Sequence, residues 1–253
     1  MDYGIVVDVE TTGIDALNDR IIELGMILFA VEADKPPQIT AMYSGIEDPG
    51  RKLAPEIIAL TGLNDEILRG QKIDWELVRA TFAKASVAIA HNAAFDSAFL
   101  KARPELQPLT IPWACSMKHV NWEVRGFRTR ALNYLACDHG FVNPFPHRAL
   151  FDCATTFRLI QPHLDELASR CYMREVRVVA VGAPFEKKDV LKQHRYRWDG
   201  ERRVWFKDLI EDQLPEERSF LKAEVYMSGH DRHEEVFSES GIAAGTSDQG
   251  ASK

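Results

Sequence analysis

No stretch of the 253-residue chain approaches the roughly 18 consecutive apolar residues that a membrane helix needs. No transmembrane segment is therefore expected. The opening, MDYGIVVDVETTG, lacks the basic start and long apolar core of a signal peptide, so no leader is expected either. Cysteine is scarce. Cys115, Cys137, Cys153 and Cys171 stand too far apart for a zinc knuckle. Thiols this sparse suit a reducing compartment, where they act as small hydrophobes, and a cytoplasmic location is the expectation. Positive charge is not in excess: 31 Lys and Arg against 38 Asp and Glu give −7, which argues against a polycation. Internal repeats are absent. What remains is a globular composition, 45% hydrophobic and 27% charged, long enough for one large or two smaller domains.

The first part reads as α/β. Tyr3 to Val9 is a near-continuous, β-branched apolar run, which suits a strand buried on both faces. Arg20 to Val31 suggests a second strand, Ala41 to Ile46 a weaker third, and Ser86 to Ala90 another short one. Helical spacing marks Pro55 to Leu60, Asp74 to Ala85, Ala131 to His139 and Ala149 to Leu167. Asn92 is a candidate N-cap for a helix running to about Ala102, before Pro104. The order predicts a mixed sheet flanked by helices.

Composition shifts near residue 172. Ten Lys or Arg face five Asp or Glu between Arg174 and Lys207. RWDGERRVWF reads as a β-hairpin with Asp199-Gly200 at the turn, flanked by Trp198 and Trp205. The division expected is residues 1–171, a small basic α+β module over 172–228, and a disordered tail over 229–253, rich in Ser, Gly, Asp and Glu.

Acids in unexpected places carry the chemistry. Asp8 and Glu10 are two apart on an otherwise apolar strand, so both carboxylates face one side. Bare burial of two negative charges is costly, so they either sit at a solvated strand end or share a cation. Thr11-Thr12-Gly13 come next, allowing a tight turn and close backbone approach to a ligand. Asp96 stands about one helical turn after Asn92, among Phe95, Phe99 and Leu100. Asp152 falls early in a helix, with His147 just before it. Each has an ordinary reading by itself: an exposed Asp, a helix-dipole partner, a capping His.

Taken in order, VDVETTG, HNAAFD and HRALFDC resemble the three motifs of the DEDDh superfamily of 3′–5′ exonucleases, proofreading epsilon-subunit-like or exonuclease X-like. The resemblance covers about residues 3 to 167 and includes LAPEIIALTGLNDEIL and ACSMK. It implies a ribonuclease H-like fold with catalytic residues Asp8, Glu10, Asp96, His147 and Asp152. It implies two Mg²⁺ or Mn²⁺ ions, with Asp8, Glu10 and Asp152 as metal ligands, Asp96 orienting water and His147 as general base. Clustered carboxylates suit two hard cations and would otherwise repel one another. A histidine suits proton transfer near neutrality. The same resemblance makes Thr11, Thr12, His91, Asn92 and Phe95 contacts to the substrate 3′ end, with packing as the alternative for Phe95 and a structural hydrogen-bonded role for His91.

The implied reaction is metal-dependent removal of nucleotides from a nucleic acid with a free 3′ end, single-stranded DNA foremost, in repair or processing. Trimming of RNA is the alternative within the same chemistry. A non-catalytic scaffold for a polymerase or nucleic acid is the alternative outside it; no clamp-binding peptide is evident in the tail. Arg125, Arg128 and Arg130 either guide the strand or line a solvated loop. Trp198 and Trp205, interleaved with basic residues, suit base stacking and phosphate contact, and equally the core of a small domain.

Overall fold

The computed structural model describes residues 2–226 and 237–241. The chain divides into two compact units, Met1–Cys171 and Tyr172–Lys253.

In the first unit, β1 (Asp2–Thr11), β2 (Ile21–Val31), β3 (Gln38–Ile46), β4 (Val87–Ala90) and β5 (Trp113–Cys115) form one sheet in the order β3-β2-β1-β4-β5. β1 pairs antiparallel with β2 and parallel with β4, which pairs parallel with β5. The sheet is therefore mixed, and β1 is central because its Ile and Val residues serve both faces. The helices are α1 (Pro55–Thr61), α2 (Asp65–Leu68), α3 (Trp75–Phe82), α4 (Ala93–Lys101), α5 (Ser116–His119), α6 (Leu132–Asp138), α7 (Ala149–Ile160) and α8 (Leu164–Arg170).

Alternation along β1 builds two apolar layers. Ile5, Val7 and Val9 pack with Leu24, Met26 and Leu28 against Val78 and Phe82 of α3 and Phe99 and Leu100 of α4. Val6 points the other way, with Ile27 and Phe29, onto Cys153 and Phe157 of α7. The Phe29 and Phe157 rings lie 5.1 Å apart. This face also receives Asp8 and Glu10. Gly25, opposite Asp8 in the register, lies against the start of α7. A Cβ built there would come 2.4 Å from the Ala149 carbonyl carbon, so only glycine admits the helix so close.

Two local expectations are corrected, and one strand went unannounced. The single helix expected from Ala149 to Leu167 is two, because Pro162 removes a backbone donor and Gln161–His163 tightens into a 3₁₀ turn. Asn92 occupies the N-cap position of α4 but makes no side-chain capping bond. β5 is three residues long, too short for a pattern to announce it.

The second unit pairs β6 (Glu175–Ala180), β7 (Arg197–Asp199), β8 (Val204–Ile210) and β9 (Phe237–Gly241) in the order β7-β8-β6-β9, all antiparallel, with α9 (Lys188–Gln193) and α10 (Leu214–Phe220). The expected hairpin is there. Its connection is four residues rather than the two that Asp-Gly suggests, with Arg203 in the left-handed region at φ 57°. Asp199 shapes it by accepting the Glu201 and Arg202 amides. Phe237–Gly241, inside the segment expected to be disordered, is a strand; the rest of 229–253 lies outside the described residues.

Candidate active site

Asp8 and Glu10 stand near the carboxyl end of β1, where ligands of open α/β sheets bind. The register shifts between Glu10 and Thr11, from Glu10 opposite Glu23 to Thr11 opposite Ile21, which bends the strand as it leaves the sheet. Asp152 arrives from α7 and is buried at 7% exposure. One oxygen from each of Asp8, Glu10 and Asp152 lies within 4.8 Å of the other two. Asp96, buried at the start of α4, accepts the Val9 amide at 3.1 Å. It is thus tied to the backbone between Asp8 and Glu10, beside the trio.

Burial, and then the neighbouring carboxylates, hold the Asp8 carboxyl well above the usual range. The same causes push Glu10 to about 8. Burial raises Asp96 despite the hydrogen bond from Val9, and raises Asp152 to about 6 despite the nearby His147. Acids this close cannot all ionise without a counter-charge. An all-oxygen, carboxylate-only donor set fits a hard divalent cation. Among the described residues, this is the group of acidic, His and Cys side chains whose ligand atoms converge so.

Three residues that the sequence did not single out support the site: Asn143 and Glu23, outside the motifs, and Arg148, inside HRALFDC but given no role there. Asn143 donates from Nδ2 to Asp152 Oδ1 at 2.8 Å and accepts the Phe145 amide. Glu23, at 1% exposure, is held by Arg148 through Nε and Nη2 at 3.0–3.2 Å and accepts the Ala149 amide. An acid inside the apolar run of β2 was the available signal for Glu23. Asn143, in a Pro-flanked loop, gave none.

The expected substrate contacts divide. His91 donates from Nε2 to the Arg130 carbonyl at 2.7 Å, so Nδ1 accepts from Ser116 Oγ, also at 2.7 Å. Burial lowers its pKa, in keeping with that neutral tautomer. Both ring nitrogens are engaged internally, the arrangement of the structural hydrogen-bonded role named as the alternative for His91. The Thr12 hydroxyl donates to Asp19 at 2.9 Å and accepts from the Arg20 amide and the Arg51 guanidinium, closing the loop after β1. Thr11 is buried and donates to the Gly13 carbonyl. Phe95 is half-buried, its ring 5.0 Å from that of Phe99. Asn92 and His147 are exposed. His147 has φ 61°, a left-handed conformation uncommon outside glycine. Arg125 is exposed and pairs with Glu166 at 2.7 Å.

In the second unit, Trp205 packs half-buried against the core and Trp198 is half-exposed, their rings 5.3 Å apart. Glu217, in the same unit, is buried. It accepts from Tyr196 Oη at 2.7 Å and Lys207 Nζ at 3.0 Å, with His194 Nε2 at 3.2 Å. Burial pushes the Glu217 carboxyl up, but the hydrogen bond from His194, the Lys207 charge and Tyr196 outweigh it, and the net shift is downward.

Residues 5–160 match the RNase T family of exonucleases, and the chain belongs to that family. Among similar proteins, the DNA polymerase III subunit epsilon of Treponema pallidum (strain Nichols) is 31% identical over 174 residues, covering 65% of this chain and 79% of that protein. The DNA polymerase III PolC-type of Streptococcus suis (strain 98HAH33) is 31% identical over 161 residues, 62% of this chain. The chain spans only 11% of that protein's length. Of solved structures, Escherichia coli exonuclease I in its zinc-bound complex with single-stranded DNA matches at 15% identity with TM-score 0.54, over 70% of this chain and 48% of that one. A full-length 3′-exonuclease matches at 18% identity with TM-score 0.52, over 65% and 61%. These structures share the mixed five-stranded sheet flanked by helices.

Among the described residues no helix is long and apolar enough to cross a membrane.

Proposed function

We propose that the chain is a metal-dependent 3′–5′ exonuclease that removes nucleoside monophosphates from the 3′ end of DNA, single-stranded DNA foremost, in repair or processing. The observation that carries this reading is the convergence of Asp8, Glu10 and Asp152 from opposite ends of the first unit. Similarity to polymerase-associated relatives supports DNA as the substrate.

Asp8, Glu10 and Asp152 are the residues that would hold Mg²⁺ or Mn²⁺. Divalent ions in such a cage supply Lewis-acid polarisation of the phosphodiester and neutralise its charge. The chain's own groups do the rest. Asp96, held by the Val9 amide, orients the attacking water. His147, exposed beside Asp152, takes that water's proton through its imidazole. Asn143 fixes the rotamer of Asp152. Asn92 and Phe95, beside Asp96, contact the terminal nucleotide. Two ions rather than one are expected because four carboxylates exceed the charge of a single cation.

The test is direct. The protein is incubated with 5′-labelled single-stranded DNA, duplex DNA and RNA, with Mg²⁺, Mn²⁺ or chelator, beside Asp8→Ala. A ladder shortening one nucleotide at a time from the 3′ end of DNA, absent with chelator and in Asp8→Ala, is the expected result. Cleavage that survives chelation, or internal cuts, would refute the reading, and a ladder on RNA alone would move it to exoribonuclease.

A further inference from the structure

Glu23 is buried more completely than any of the four motif acids, yet no motif contains it. A carboxyl this deep is costly to bury unless its oxygens find hydrogen-bond partners. All the partners shown for it come from residues 148 and 149, more than a hundred positions away. Arg148 Nε lies 3.1 and 3.2 Å from its two oxygens, Arg148 Nη2 lies 3.0 Å from Oε1, and the Ala149 amide lies 3.2 Å from Oε2. The register places Glu23 directly opposite Glu10. Glu23 therefore borders the metal-ligand trio while its own oxygens are already spoken for.

Arg148 sits at a junction. On its C-terminal side α7 begins and carries Asp152; on its N-terminal side stands His147, held at φ 61°. His147 is exposed, so burial of its own ring does not enforce that backbone conformation. Two contacts hold the chain at this point: the Arg148 anchor one residue later, and the backbone hydrogen bond from His147 to Asp152.

We infer that Glu23 and Arg148 are positioning residues: their pair clamps the start of α7 to β2 and so sets where the His147 imidazole and the Asp152 carboxylate stand relative to Asp8 and Glu10. The kinetic consequence rests on the exonuclease reading; the geometric one does not.

The experiment compares wild type with Glu23→Gln and Arg148→Ala, well below their melting temperatures. Arg148→Lys, which keeps the charge but loses the two-pronged grip, serves if the others do not fold. Loss of a group that orients a ligand or base typically costs roughly 10–100-fold, so kcat should fall by about that much, with KM for a short oligonucleotide little changed. The second readout is the His147 imidazole NMR signal at fixed pH, assigned by its loss in His147→Ala. It should move in each clamp variant. An unmoved signal overturns the inference whatever the rate, because a pair that only adds stability would leave it in place. A moved signal with wild-type kcat overturns the positioning role. Should wild type itself prove inactive, the exonuclease reading fails, and the imidazole signal still decides the clamp.

Discussion

Glu217 and Asp152 are buried and Asp8 and Glu10 half-buried, but the surroundings of Glu217 and of the trio oppose one another. Around Glu217 stand a phenol, an ammonium and an imidazole, and the carboxyl is held below its ordinary range. Around the trio stand more carboxylates, only partly offset by Arg148 near Glu10 and His147 near Asp152, and the acids are held above theirs. The first arrangement is complete within the protein. The second is repulsive until something positive arrives, which separates an acid that builds structure from acids that form a site.

The contrast is broken most forcefully at Asp8. Asp8→Asn should lower nuclease turnover by about 10²–10³-fold, on the scale of losing one group that stabilises developing charge. The metal-free protein should nonetheless melt higher at pH 8, since one repelling charge is gone. Rate measurements and a melting curve on the same preparation check both halves, and a lower melting temperature would contradict the repulsion argument. At Glu217 the sign reverses. Lys207→Met leaves a buried carboxylate short of its cation and should destabilise the second unit by about 3 kcal/mol. Hydrogen exchange at the β6 and β8 amides reads this, while Mn²⁺ affinity should stay as in wild type.

The two settings also titrate in opposite directions. Glu10 is raised to about 8 and Asp152 to about 6, so between about pH 4 and those values the folded, metal-free chain keeps protons that the unfolded chain has released. Stability from the trio is thus fully present at low pH and lost as pH rises toward 8. The depressed Glu217 contributes stability above its ordinary pKa of about 4.3 and loses it as pH falls through its folded value. Melting without metal should therefore decline from pH 5 to pH 8, and saturating Mn²⁺ should flatten that slope. A rise over the same interval would contradict the assignment of the trio as the dominant titrating group. The smallest effect is expected at Trp198. Half-exposed, it should tolerate Ala within about 0.5 kcal/mol, where half-buried Trp205 should not.

Much of the fold is legible in the sequence because it is local. Val and Ile runs with period-two acids announce β1, and the ordered acids announce which segments meet. The hairpin at Asp199-Gly200 is legible too, though not its length, because the side chain of Asp199 supports a wider turn than the dipeptide alone implies. Pro162 stands in plain view, but apolar spacing runs through it and hides the break between α7 and α8. Non-local pairings are out of reach. Nothing in the chain links Glu23 to Arg148 or Asn143 to Asp152, and the internal partners that engage His91 and Thr12 come largely from other segments. Even where a motif holds a bracing residue, as HRALFDC holds Arg148, it does not show what that residue braces.

Gly25 illustrates how unevenly the site tolerates change. Amide-for-acid exchanges around it keep every outline and alter only charge. A single methyl at position 25 alters no charge, but it would meet the Ala149 backbone 2.4 Å away and drive α7 outward. Asp152 would travel with that helix, widening the cage from a distance. The spacing of the acids is therefore governed by an atom that is missing.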